Sequence, residues 1–266
     1  MTKIAMAIAA HPDDIEFMMA GTLMLLKKLG YETHYMTLSG GDCGSTEYDS
    51  EKTKKIRIEE AKNAAAILGT KYHYPICNDF EIFYNGSILR KLSEVIRGVQ
   101  PRLILTHSPS DYMEDHMNTS RLTVTAAFVR CVPNYIAGDS IASNFDCTIY
   151  HALPHGLRDP LRKKLIPGLF VDTSSVQETK RNALAMHKSQ QAWLDNSQKM
   201  NSYIQVMEDM SLEVGRMSQK FEYAEGWRRH SHYGFCSEDD DPLRDLGEHY
   251  LLNKTYEQAL NDRVVV

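Results

Sequence analysis

Two short polar segments combine histidine with carboxylate side chains in patterns that could bind a metal ion. His11-Pro12-Asp13-Asp14 directly follows an apolar run, and Glu16 stands two residues further on. Asp111 to His116 (DYMEDH) comes shortly after a second apolar run, and His107 stands between that run and Asp111. Two histidines and one carboxylate with an open position are the composition of a hydrolytic zinc site. If the two segments meet, the candidate ligands are His11, Asp14 and His116.

Such a centre would carry out hydrolysis through its metal and one free carboxylate. A metal ion lowers the pKa of its bound water and polarises a carbonyl group. Asp13, adjacent but uncoordinated, could then accept the proton of that water. A simpler interpretation stays open at this point, in which Asp13 and Asp14 only cap the following helix.

The surrounding pattern predicts the elements that must position these segments. Strands are predicted at 3–10, 32–38, 71–76, 102–107, 145–153 and 169–172, and helices at 18–29, 51–68, 86–99 and 119–131. Strands that alternate with helices are typical of an α/β fold with a mainly parallel sheet covered on both faces. Ligand sites in such sheets lie just beyond the carboxyl ends of the strands, where both segments stand. The absence of a linker or repeat in the sequence predicts one domain over 1–266.

Composition excludes several other classes of protein. The chain has 30 Lys plus Arg and 35 Asp plus Glu, a net charge of −5, and no basic block, which argues against a nucleic-acid partner. The N-terminal apolar run is far shorter than the ~20 residues that span a membrane, and no signal-peptide cleavage pattern follows it. The five cysteines are odd in number and scattered, which indicates a reducing compartment. We therefore expect a cytoplasmic globular protein.

With both segments in view, the sequence resembles the LmbE-like family, also called the PIG-L family, of zinc-dependent N-deacetylases. The resemblance rests on AHPDDIEFMMAGTL at 10–23 together with DYMEDH at 111–116. Further similar positions are SGGDCGS at 39–45, Arg57 to Glu60, Asp172, Lys180 and HKSQ at 187–190. Glu16 makes the first segment most similar to the bacillithiol-type bacterial branch.

The resemblance implies a fold, an activity and roles for individual residues. The fold is a Rossmann-like, LmbE-like single domain, here with a C-terminal helical extension. The activity is removal of an acetyl group from an N-acetylated amino sugar or its conjugate. His11, Asp14 and His116 would bind Zn²⁺, Asp13 would be the general base, and Arg57 would contact substrate. Fe²⁺ also suits this ligand set, and a homo-oligomer is left open because relatives often form symmetric assemblies.

Met113 departs from the family pattern. Many members have a histidine here, three residues before the ligand histidine, which is usually assigned to stabilising the oxyanion or protonating the leaving amine. We therefore consider His107, His230 and His232 as candidate substrate-binding residues that supply this group. The last two stand in AEGWRRHSHYGF (224–235), which fits a substrate clamp and an oligomer contact equally well.

Alternative functions remain consistent with the sequence. One is a non-catalytic, metal-dependent carbohydrate-binding protein, in which Met113 marks lost activity. Another is a metal hydrolase of a different amide or an ester. The glycine loop at 39–45 invites a nucleotide interpretation, but it lacks the G-x-G-x-x-G spacing and follows the second strand rather than the first. We expect this loop to be a flexible lip of the substrate cleft.

Overall fold

The computed structural model describes residues 3–191 and 203–261. Its strands are β1 (Ile4–Ala9), β2 (Glu32–Thr37), β3 (Lys71–His73), β4 (Leu103–Thr106), β5 (Thr148–Ala152), β6 (Leu169–Asp172), β7 (Ala224–Arg229) and β8 (Tyr250–Leu252). The α-helices described in these ranges are α1 (Asp14–Met18), α2 (Ala20–Lys28), α3 (Ser50–Leu68), α4 (Gly86–Val99), α5 (Glu114–Phe128), α6 (Gln177–Leu184), α7 (Tyr203–Ser218) and α8 (Lys254–Asn261). Short 3-10 helices lie at Val129–Cys131, His155–Leu157, Ser174–Val176 and Pro242–His249.

All eight strands belong to one sheet in the order β3-β2-β1-β4-β5-β7-β6-β8. The strands from β3 to β5 in that order pair in parallel, whereas β7 is antiparallel to both β5 and β6, and β8 is antiparallel to β6. Alternate residues of β1 face opposite ways. Ala5 and Ala7 join the apolar cluster that includes α2 and α3, and Met6 and Ile8 join the one that includes α4 and α5. The predicted α/β sheet with helices on both faces is confirmed.

The start of α5 differs from the prediction in a way that matters for the site. The helix begins at Glu114 rather than at Thr119. No glycine or proline stands between these positions, and acidic residues in a first turn are stabilised by the N-terminal end of the helix dipole. His116 therefore lies in the first turn of a helix, which fixes the direction of its ring.

The C-terminal segment also differs from the prediction. Ala224–Arg229 is strand β7, between β5 and β6, and residues 224–227 are buried. This part of the segment is therefore interior and forms neither a surface clamp nor an oligomer contact. Beyond it, a 3-10 helix, the edge strand β8 and helix α8 extend the fold. Among the residues that the structure describes, no helix is long and apolar enough to cross a membrane.

A buried ion pair explains why polar residues occupy the middle of β7. Glu225 accepts a hydrogen bond from Lys180 Nζ at 2.8 Å, and both side chains are almost fully buried. The same carboxylate accepts the backbone N–H groups of Gly21 at 2.9 Å and Thr22 at 2.8 Å. These N–H groups lie in the first turn of α2, where no helical carbonyl can accept them. Glu225 thus joins β7, α6 and the start of α2.

Replacing Glu225 by Ala should lower the free energy of unfolding by about 3 kcal/mol, because the buried Lys180 ammonium then loses its only negatively charged partner among the described residues and keeps only a 3.4 Å hydrogen bond to Ser211 Oγ. Lys180→Met should lower it less, since Glu225 keeps its two backbone donors. Urea unfolding of the metal-free protein measures both. The matched control is Glu213→Ala, which breaks the exposed pair that Glu213 makes with Lys164 at 2.6 Å and should change little. Equal effects of Glu225→Ala and Glu213→Ala would contradict this assignment.

Candidate active site

The structure brings His11, Asp14 and His116 together at the carboxyl ends of β1 and β4. The two strands pair in parallel, with Ile8 opposite Thr106, so the segments that follow them lie side by side. Asp14 lies between the two rings, with Oδ2 at 3.4 Å from His11 Nδ1 and Oδ1 at 3.4 Å from His116 Nε2. One ligand atom from each residue lies within 4.8 Å of the other two. This spacing and donor set suit a divalent metal ion.

The remaining nitrogen of each ring is held by an outer carboxylate. His11 Nε2 lies 3.1 Å from Asp115 Oδ2, and His116 Nδ1 lies 3.1 Å from Asp111 Oδ1. Carboxylates in this position orient a metal-binding histidine and raise its basicity. The nitrogens that face Asp14 are therefore the ones left for a metal, and the residues present fit the ion that the family pattern implies.

His107 lies beneath the metal cluster rather than in the cavity. Its ring stacks on that of His116 with centroids 4.1 Å apart, and it is fully buried. The backbone N–H of Ala10 donates to His107 Nε2 at 2.9 Å, which identifies this nitrogen as an acceptor. Burial lowers the pKa of His107, in keeping with a neutral ring. Its position is that of a support for His116.

Asp13 has the geometry of a reactive carboxylate rather than of a helix cap. It is the N-cap residue of α1, yet its side chain makes no capping hydrogen bond to any residue that the structure describes. Its φ of 105° lies in the left-handed region, and such strain is concentrated at functional sites. The hydroxyl of Tyr203 donates to Asp13 Oδ2 at 2.6 Å. Burial raises the pKa of Asp13 to about 6, against the opposing effect of the Arg57 charge.

Arg57 lines the cavity, but its guanidinium mainly holds two loops. It donates to the carbonyl oxygens of Pro12 at 2.8 Å and Gly41 at 3.2 Å, and it lies 3.8 Å from Asp13 Oδ2. A Cβ atom at Gly41 or Gly44 would lie 2.5 Å from the guanidinium. The glycine loop therefore packs directly on Arg57, and its residues Cys43 and Gly44 line the cavity, where we expected a lip of the cleft.

Glu60, one helical turn after Arg57, holds a third segment. It accepts the Ser189 N–H at 2.9 Å and the Ser189 hydroxyl at 2.6 Å. This contact places Gln190 in the wall of the cavity. Both residues of the Arg-x-x-Glu pattern on α3 thus position the site.

An open cavity of about 370 Å³ lies against the metal cluster and Asp13. Residues that sequence analysis did not assign to the site also line it, namely Phe17, Met18, Phe80, Tyr112, His155 and Tyr203. His155 follows β5 at the same edge of the sheet as His11 and His107, so the strand-end rule would have found it. No sequence signal marked Phe80 or Tyr203, whose positions depend on tertiary contacts.

Neither His230 nor His232 is among the described residues that line this cavity. His230 Nδ1 lies 3.0 Å from His151 Nε2, and the opposite nitrogen of His151 donates to the His107 carbonyl at 2.8 Å. His232 packs on Tyr233, with ring centroids 4.2 Å apart. The three histidines that we considered as replacements for the histidine missing at Met113, namely His107, His230 and His232, thus lie outside the described cavity lining. His155, which we did not consider, is part of that lining.

Comparisons with known proteins agree with this geometry. Residues 6–127 match the PIG-L family, described as GlcNAc-PI de-N-acetylase. The chain is also 31% identical over 195 residues to a diacetylchitobiose deacetylase of Thermococcus kodakarensis. This alignment covers 71% of this chain and 70% of the relative. The chain belongs to the PIG-L family.

Relatives of this PIG-L protein differ in the reactions that their names describe. The chain is 30% identical over 190 residues to a 4-oxalmesaconate hydratase of Pseudomonas putida, covering 68% of this chain and 72% of the relative. The structure of an N,N'-diacetylchitobiose deacetylase from Pyrococcus horikoshii superimposes with a TM-score of 0.74 at 22% identity, over 91% of this chain and 88% of that one. The latter likeness establishes the shared fold.

Removing the outer carboxylate Asp115 should weaken metal binding by about 10- to 100-fold, because His11 loses the partner that orients its ring. Zinc titration of the Asp115→Ala variant by calorimetry measures the change. Glu114→Ala is the matched control, since Glu114 is the exposed neighbouring acid in the same helical turn. Wild-type affinity in Asp115→Ala would contradict the proposed arrangement.

Metal binding by this PIG-L protein should release protons at neutral pH. Burial lowers the pKa of His11, but hydrogen bonds with Asp115 and Asp14 outweigh it and raise that pKa to about 9. Against the same effect of burial, Asp14 and Asp111 raise the pKa of His116 to about 10. Both rings are thus protonated at pH 7 in the metal-free protein.

Because a metal must displace these protons, about two should leave per ion bound at pH 7, and affinity should rise with pH up to about 10. Calorimetry at pH 7 in buffers of different ionisation enthalpy counts the protons released. Binding without proton release would show that other atoms hold the ion.

Proposed function

We propose that this protein is a zinc-dependent N-deacetylase that removes the acetyl group from an N-acetylated amino sugar or its conjugate. The observation that carries this proposal is the meeting of Asp13 with the His11, Asp14 and His116 cluster at the floor of one cavity. A buried carboxylate beside a metal site with an open cavity suits hydrolysis of an amide. The deacetylase relatives within the family support the same reaction.

His11, Asp14 and His116 would hold the metal ion through Nδ1, a carboxylate oxygen and Nε2, respectively. A bound Zn²⁺ supplies a lowered water pKa and polarisation of the acetyl carbonyl. Two imidazoles and a carboxylate also suit Fe²⁺, so we propose zinc on the resemblance to the family. Asp111, Asp115 and His107 keep the rings in place but do not reach the cavity floor.

Asp13 acts as the general base in this proposal. Its raised pKa of about 6 makes it a stronger proton acceptor than an ordinary aspartate while it stays ionised near neutral pH. The Tyr203 hydroxyl and the Arg57 guanidinium both favour its carboxylate form and fix its orientation. After attack on the amide carbon, Asp13 returns the proton to the departing amine, and acetate leaves.

His155 takes the place of the histidine that is absent at Met113. It lines the cavity together with Met113 and Tyr112, with its ring 6.1 Å from that of Tyr112. Burial lowers the pKa of His155, so its ring is neutral and has one N–H group that can donate a hydrogen bond to substrate. A neutral donor suits stabilisation of the oxyanion that forms on the acetyl oxygen.

Hydration of a carbon–carbon double bond is a second candidate function, because the hydratase relative is nearly as similar to this chain as the deacetylase. Water activated beside Asp13 could add to an alkene as well as to an amide. The substrate names of such hydratases denote carboxylates, which require cationic partners. Arg57 is the only lysine or arginine among the described residues that line the cavity, and it is already bonded to two carbonyls. Apart from the metal ion itself, the described lining therefore has no free lysine or arginine for a substrate with several carboxylates, which favours the less charged amide substrate.

The decisive experiment follows acetate release from N-acetylglucosamine and N,N'-diacetylchitobiose by the zinc-loaded protein. Asp13→Asn should lower kcat by at least about 100-fold while zinc binding is retained, since the variant removes the proton acceptor and leaves the ligands. Zinc content and calorimetry check the second point. Full turnover in Asp13→Asn would contradict the role of Asp13. Absence of acetate release by the wild type, together with hydration of a carboxylated alkene, would favour the second candidate.

His155→Ala should lower kcat by about 100-fold with little change in KM, because the hydrogen bond that it removes forms in the transition state. His155→Gln should retain part of the activity through its amide N–H. Adding Met113→His to His155→Ala restores the family pattern and should recover turnover. Wild-type turnover in His155→Ala would remove His155 from the mechanism.

A further inference from the structure

Phe80 adopts a backbone conformation that bulky residues rarely take. Its φ is 58°, in the left-handed region where a Cβ atom is strained. It is the third residue of a four-residue turn closed by the Glu81 N–H, which donates to the Asn78 carbonyl at 3.3 Å. A left-handed third residue in such a turn is ordinarily glycine. A phenylalanine here therefore destabilises the fold relative to glycine.

Hydrogen bonds from the metal site keep Phe80 in this conformation. Its N–H donates to Asp115 Oδ2 at 2.8 Å, and the same oxygen lies 3.1 Å from His11 Nε2. The preceding residue, Asp79, donates its N–H to Asp42 at 2.8 Å and accepts the Cys43 N–H at 3.0 Å. The turn is thus tied to a candidate metal ligand on one side and to the glycine loop on the other.

Packing within the chain does not account for the aromatic side chain. Phe80 is 63% exposed, so its ring adds little to the apolar core. Phe80 is nevertheless one of the residues that line the cavity beside the metal cluster. Strain that persists without a gain in packing indicates a role toward a ligand.

We propose that the Phe80 ring stacks on the pyranose ring of an amino sugar whose acetamide group reaches Asp13 and the metal cluster. This inference rests on the proposed deacetylase function and names the part of the substrate that Phe80 recognises. A pyranose has an apolar face of C–H groups that fits an aromatic ring, and hydroxyl groups around its edge. Gln190 lines the same cavity, and its side chain has an Oε1 without a hydrogen-bond partner among the described residues.

Stability separates this role from a structural one. Phe80→Gly removes the strain and little packing, so its thermal midpoint in the metal-free protein should rise by about 2 °C. Phe80→Ala keeps the strain and should not rise. Gln100→Gly is the matched control, since Gln100 has a φ of 53° at the exposed end of α4, just before β4 begins and away from the site. It should gain stability without any effect on sugar binding.

Sugar binding tests the proposal directly. N-acetylglucosamine titrated into the metal-free protein, followed by NMR, should bind about five- to tenfold more weakly to Phe80→Gly and Phe80→Ala. Phe80→Tyr and Gln100→Gly should bind it as the wild type does. With zinc, Phe80→Gly should raise KM for N-acetylglucosamine by a similar factor at unchanged kcat. N-acetylethanolamine has the same acetamide but no ring, and its KM should not change.

The outcomes separate this inference from the proposed function. Unchanged sugar binding in Phe80→Gly, or no sugar binding by the wild type, would overturn the stacking role. An equal rise in KM for both substrates would also overturn it, because the ring would then contact the acetamide. A fall in the thermal midpoint of Phe80→Gly would assign Phe80 to the fold instead. A wild type that binds the sugar without releasing acetate would refute deacetylation while the binding data still decide the role of Phe80.

Discussion

Buried negative charge is the constraint that the rest of this site satisfies. Two short segments place four aspartates in buried positions: Asp13, Asp14, Asp111 and Asp115. Ionised carboxylates are strongly destabilised by burial unless positive charge or hydrogen-bond donors accompany them. Here His11 and His116 lie between pairs of these carboxylates, and Arg57 faces the remaining one. A divalent cation that replaced the two ring protons would supply the same positive charge between these carboxylates.

The same constraint explains the loops around the cluster. Arg57 must be buried to reach Asp13, so its own donors need acceptors, and the Pro12 and Gly41 carbonyls provide them. The buried guanidinium leaves no space for a Cβ atom beside it, so positions 41 and 44 are glycines. The glycine loop, the helix that carries Arg57 and the strand-end segment are therefore one unit, although 45 residues separate Arg57 from Pro12.

The sequence predicted the features that depend on local pattern and missed those that depend on distant contacts. The order of strands and helices up to 172 followed from apolar spacing and was largely correct. The convergence of His11, Asp14 and His116 followed from the rule that parallel strands end at one edge. Strand β7 carries Glu225 and Trp227 inside the sheet, and no alternating pattern marks it because its polar groups are satisfied by Lys180 and α2.

The cavity walls were the least predictable part. His230 and His232 were chosen because the segment 224–235 gathers a glutamate, a tryptophan, two arginines and two histidines, but the register of β7 directs that segment toward β5 and away from the cavity. Phe80 and Tyr203 owe their positions to hydrogen bonds with Asp115 and Asp13, which no spacing in the sequence reveals. Specific contacts of this kind become visible only once the segments are placed in space.

The hydrogen bond between Tyr203 and Asp13 joins residues 190 positions apart. The metal cluster, in contrast, is complete within the first 116 residues. Domains emerge from the ribosome from the N-terminus at about 5–20 residues per second, so the cluster leaves the ribosome several seconds before Tyr203 does. The residues of this cluster are therefore all synthesised well before Tyr203, whose hydroxyl reaches back to Asp13 in the folded chain.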